Sequence, residues 1–160
     1  MYDAMIASLD HLKTHGSQSK KVLLLVTDGD DNSSVANLDK VVRTIQESEI
    51  LLYVVALNSG ERIPHRRVPV RQEMESLTGA SGGTALFPNS TKDLEVMASQ
   101  IAAEIRNQYV LSYVPSKTSG YGRFRKIRVV AEVRSQEKLV ARTRTGYYFG
   151  GKAGAAAPNR

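Results

Sequence analysis

Residues 20–34, KKVLLLVTDGDDNSS, decide how this chain is read. Five apolar residues, 22–26, end abruptly in Thr27, Asp28, Gly29, Asp30, Asp31, Asn32, Ser33 and Ser34. An unbroken apolar run of that length between polar flanks predicts a strand buried on both faces. The turn beyond it brings three carboxylates and several hydroxyls to one end of that strand. Open α/β sheets bind their ligands in the crevice beyond the carboxyl ends of the strands. Hard oxygen donors therefore stand where such a fold keeps its site.

Working outward, Met5, Ile6, Leu9 and Leu12 recur at helical spacing and predict a helix over residues 2–15, closed by Gly16. Leu38, Val41, Val42 and Ile45 form one stripe, predicting a second helix over 36–48. Residues 50–57, ILLYVVAL, are a second fully apolar run. Strand, helix and strand in that order make a right-handed unit with a parallel pair. Residues 58–69 carry Gly60, Pro64 and Pro69 and read as a polar loop on the same rim as the acidic turn. A short helix at 70–78 stopped by Gly79, a strand at 84–87 and a long helix at 91–107 follow. Ser90 and Asp93 are placed to cap that last helix.

The pattern changes after residue 108. Segments 109–114, 124–133 and 139–149 are β-type with no helix between them, and Ile127, Val129, Ala131 and Val133 alternate with polar residues. The connection 134–138 is short enough for a hairpin. The expected fold is thus a Rossmann-like parallel α/β layer with flanking helices over 1–108. An antiparallel β appendage over 109–149 packs on it, and 150–160 is a disordered tail.

Composition narrows the chemistry. The 160 residues suffice for one domain with a real core. No apolar run approaches the roughly 20 residues of a membrane span, and Met1 leads straight into a helix rather than a signal peptide. With no cysteine, thiol catalysis, disulfides and Cys-based metal sites are excluded. The net charge of +6 raises nucleic acid as a partner. The distribution argues against it: an acidic turn sits mid-chain, the basic residues scatter over Arg62, His65, Arg66, Arg67, Arg71 and the C-terminal segments, and Trp is absent. His11, His15 and His65 read as surface residues, and the basic loop as solvated, with an accessory role in partner recognition as its alternative.

For the acidic turn two readings stand side by side. Carboxylates and hydroxyls at a strand end suit Mg²⁺, Mn²⁺ or Ca²⁺, with Asp28 pointing into the crevice. Alternatively Asp, Gly and Asn make the turn and cap the next helix. An EF-hand loop starting at Asp28 is a poor match, because Ser33 stands where glycine is needed and a strand leads in. No nucleophile–base pair or cofactor fingerprint is visible, so catalysis is not expected. The enzymatic alternative is Mg²⁺-dependent phosphoryl transfer or hydrolysis using Asp28, Asp30 and Asp31.

The motif Thr27-Asp28-Gly29-Asp30-Asp31-Asn32 after an apolar strand, followed by ILLYVVAL, resembles the second half of a von Willebrand factor type A domain. Tyr2-Asp3-Ala4 heading a helix and LTGASGG (residues 77–83) before a short strand resemble that family too. QYVLSYVP, FRKIRVVAEV and TRTGYYF extend the likeness to an acidobacterial secreted subgroup, over roughly residues 2–149. The resemblance implies a protein-binding, adhesion-type module in an extracellular or periplasmic setting. Its metal-ion-dependent adhesion site would use three loops, of which this chain carries the last. Asp28 is the implied metal residue, with Asp30, Asp31 and Ser33 as outer-shell groups. The Asp-x-Ser-x-Ser loop and a Thr before the first helix would lie upstream of Met1, so the resemblance implies a truncated domain. Two consequences are expected: weak or absent Mg²⁺ (or Mn²⁺/Ca²⁺) binding, and a bare edge on strand 22–26 open to self-association.

Overall fold

The computed structural model describes residues 1–57, 68–116, 119–132 and 139–150. Of the expected loop over 58–69, residues 58–67, with Arg62, His65, Arg66 and Arg67, lie outside the described residues, as do the 134–138 connection and the tail from 151 on. Four helices, a three-stranded parallel sheet and a two-stranded antiparallel sheet make up the described chain.

The parallel sheet has the order β1 (Lys21–Thr27), β2 (Ile50–Ala56), β3 (Ala85–Leu86). Leu23 pairs with Leu52 and Leu25 with Val54, while Val54 and Val55 pair onward with Ala85 and Leu86. Because strand side chains alternate, Leu52, Val54 and Ala56 face one layer of helices and Leu51, Tyr53 and Val55 the other. The first layer is α1 (Tyr2–His15), α2 (Leu38–Gln46) and α3 (Val70–Ser81). Met5, Leu9, Val41, Ile45, Met74 and Leu77 fill it, all at 1% exposure or less. The second layer is α4 (Thr91–Arg106), which lays Leu94, Ile101 and Ile105 over Tyr53 and Val55. Helices on both faces of a parallel sheet explain why residues 50–56 are apolar without alternation.

β1 departs from the sequence reading. Its apolar run is not buried on both faces: Leu24 is 52% and Val26 58% exposed. The cluster under α4 takes in Val22 at the start of β1 but not Leu24 or Val26, and among the described residues β1 has a ladder partner on one side only.

α3 also runs further than expected. Gly79 does not stop it, and the helix continues to Ser81. The stop is Gly82, at φ 88° and ψ 8°, whose N–H bonds the Thr78 carbonyl. A left-handed residue at a helix end favours glycine, and here a Cβ would also lie 2.6 Å from the Arg144 nitrogen. Ser90 and Asp93 form the expected reciprocal cap of α4.

The C-terminal segments are less regular than predicted. Among the described residues only β4 (Phe124–Lys126) and β5 (Gly146–Tyr148) pair there, antiparallel, with Arg125 opposite Tyr147. Residues 109–114 form no strand and stand exposed, with Tyr109 at 94%. These residues are β-type in composition, but without a neighbouring ladder a strand has nothing to bond. Side chains fasten this region to the α/β layer. The Arg142 guanidinium donates to Thr84 Oγ1 and, at 2.6 Å, to Glu104 Oε1, while Arg43 lies 5.0 Å over the Tyr148 ring.

Candidate functional site

The rim at the carboxyl ends of β1 and β2 is built by the acidic loop and by the first turns of α1 and α3. The Leu57 N–H donates to the Thr27 carbonyl at 2.8 Å and closes the two strand ends together. Thr27 Oγ1 then accepts the Gly29 N–H at 3.0 Å, and Asp28 Oδ1 accepts the Asp30 N–H at 3.1 Å. These side-chain-to-backbone bonds turn the chain sharply, as short polar residues do. Gly29 sits buried at φ +90°, close enough to Val70 of α3 that a Cβ would collide with it. The turn is thus tight because glycine is both left-handed and pressed against α3. Asp28 is left exposed at its crest.

A second set of bonds ties the rest of the loop to α1. Asp31 Oδ1 accepts from the Met1 nitrogen at 3.0 Å and from the Ser34 N–H at 3.3 Å. Asp3 accepts the Val35 N–H at 2.9 Å through Oδ2 and the Ala36 N–H at 3.0 Å through Oδ1. Its own N–H returns to Ser34 Oγ at 3.1 Å. The loop then ends in Asn37, whose side chain accepts the Lys40 N–H and caps α2. The Tyr2 hydroxyl donates to Glu73 Oε1, which joins α1 to α3 beneath the rim.

Electrostatics follow from these bonds. The two backbone N–H groups of Val35 and Ala36 hold the Asp3 carboxyl below the ordinary carboxylate range. Burial works against ionisation of Asp31, whose side chain is 8% exposed, but hydrogen bonds from Ser34 and the Met1 nitrogen outweigh it and lower its pKa.

The residues singled out by sequence therefore separate. Asp28, Asp30 and Ser33 are exposed on the loop. Asp31 is turned inward and engaged by α1. Asp3, Tyr2 and Glu73 organise the rim without having been singled out for it. The available signal was an acidic residue in the first turn of a helix, a place where carboxylates meet unpaired N–H groups.

As a cation site, the described donor set is sparse. Hard divalent ions take 6–8 oxygens, and tight sites gather several from protein. Here Asp28 offers an exposed carboxylate, Asp31 and Asp3 are committed to N–H donors, and no group of three His, Asp or Glu residues converges among the described residues. This set does not fit a tightly held ion. Compared with known protein families, with curated proteins and with solved structures, the chain matches none.

Proposed function

We propose that this chain is a protein-binding module of the von Willebrand factor type A kind, with the rim around Asp28 as its recognition surface. The observation that carries the reading is the clamped acidic loop. Asp3 and Asp31 fix the loop backbone against α1, and Gly29 fixes it against α3, so Asp28 is presented on a braced turn. A pre-organised loop loses little freedom on binding, which favours recognition. A divalent ion would supply a bridge between Asp28 and an acidic partner group. This chain's own part is to hold the carboxylate out on a fixed backbone.

Calorimetric titration with Mg²⁺ and Mn²⁺ tests the reading. The expected result is weak binding, on the order of the 10⁻⁴–10⁻³ M of loosely ligated sites, abolished by Asp28→Ala. Submicromolar affinity, or binding that survives the substitution, would contradict the account of a single exposed carboxylate.

The open side of β1 favours a second reading, assembly by strand pairing. The seven residues of β1 contain no proline, and the only charge is Lys21 at the end. The usual devices that blunt a sheet edge are absent along its length. An antiparallel partner centred on Leu24 would place Leu24 opposite Leu24 of a second copy, and Val22 opposite its Val26. Both strand edges and the exposed apolar pair would be satisfied at once.

A further inference from the structure

The end of α1 farthest from the rim carries a second feature, independent of the acidic loop. α1 begins at the rim with Met1 and Asp3, and its fourteen residues carry its last turn about 20 Å away at 1.5 Å per residue. There His11 and His15 lie four residues apart on one helical face, their rings stacked at 4.5 Å between centroids and inclined by 23°. Both are exposed, so neither ring has to leave a packed position to turn a nitrogen outward.

The tautomer of neutral His15 follows from its backbone contact. Its Nδ1 lies 3.2 Å from the His11 carbonyl oxygen. A carbonyl only accepts, so in the neutral ring the proton sits on Nδ1 and the lone pair is left on Nε2. Metal-ligating histidines are oriented in this way, with one ring N–H given to a backbone carbonyl and the other nitrogen free to coordinate. His15 is also the last residue of α1, where the negative end of the helix dipole favours a cation.

We propose that His11 and His15 form a two-imidazole chelate for a late first-row divalent cation such as Cu²⁺, Ni²⁺ or Zn²⁺, with solvent completing the coordination. Imidazole suits these ions and hard oxygen sites do not compete well for them. No thiol competes either, since the chain has no cysteine. Bridging residues one turn apart, the ion would also staple the end of α1.

The test is a titration of the full chain with NiCl₂ at neutral pH, read by calorimetry and by thermal unfolding followed by circular dichroism. His11→Gln and His15→Gln keep a good helix former at exposed positions, so the far-ultraviolet spectrum should not change. The expected result is one Ni²⁺ per chain and an unfolding midpoint that rises with Ni²⁺. Each substitution should weaken binding about tenfold or more, the scale on which altered metal-site groups are felt. His65→Gln should bind as the parent does. Affinity unchanged in both His11→Gln and His15→Gln, or lost in His65→Gln, would overturn the proposal.

Discussion

Asp28 and Asp31 stand three residues apart and are used in opposite ways. Asp31 is nearly enclosed and holds the Met1 nitrogen and the Ser34 amide. Replacing it by alanine leaves those donors without their carboxylate, a loss of about 1–3 kcal/mol for bonds to a charged group. Chemical denaturation of Asp31→Ala should show a fall of that size. Asp28→Ala at the exposed crest should change stability by no more than about 0.5 kcal/mol, the range of surface substitutions. The pH dependence has a definite sign. Asp3 and Asp31 both have depressed folded-state pKa values, so the stability they contribute is present above the ordinary carboxylate value of 3.8. It is lost as pH falls below that value through their folded-state values. Protection of the Val35 and Ala36 amides, relative to their intrinsic exchange rates, should fall in that acidic window before that of the β2 core. At this scale the sequence made Asp28 legible, since the residue after a buried-type strand must emerge at the sheet's carboxyl end. It did not separate the inward Asp31 from the exposed Asp30 or mark Asp3 as a clamp, because their partners lie about thirty residues away along the chain.

Among the elements, those with complete local grammar were read closely. The Ser90–Asp93 box and the stripe of α4 set that helix to within a residue, because cap and periodicity are short-range signals. The end of α3 was misread at Gly79, since a glycine inside a helix costs only about 1 kcal/mol and Met74 and Leu77, packed in the core, outweigh it. Gly82 is the glycine with a job. Gly82→Ala places a Cβ in a left-handed residue against Thr143 and Arg144. A loss of at least about 1–2 kcal/mol is expected from the conformation alone. Thermal unfolding should show it, while Gly79→Ala, with open space around its Cβ, should be neutral or stabilising. The C-terminal segments were the least legible. β-type composition predicts a strand but not its neighbour, and residues 109–114 have no ladder partner among the described residues.

Across the whole molecule, the parallel α/β layer follows from two apolar runs with a helix between them, and the sheet order supports that reading. What local pattern cannot tell is which strand ends at an edge. β1 and β2 read alike, yet β2 is buried along most of its length and β1 exposes Leu24 and Val26. If the open edge pairs copies of the chain, light scattering after size exclusion should give a dimer that grows with concentration. Leu24→Lys should return it to monomer with stability unchanged, because the residue is already half exposed. A monomer at high concentration in the parent chain would contradict edge pairing. The rim and the edge are separate surfaces, and the two His residues on α1 lie apart from the rim. The acidic loop is a braced platform that presents Asp28. Paramagnetic broadening of backbone amides by substoichiometric Mn²⁺ tests it most directly. The expected result is selective loss of the Asp28, Gly29 and Asp30 signals, abolished in Asp28→Ala while Val35 and Ala36 stay sharp. Broadening centred elsewhere, or unchanged by the substitution, would contradict it.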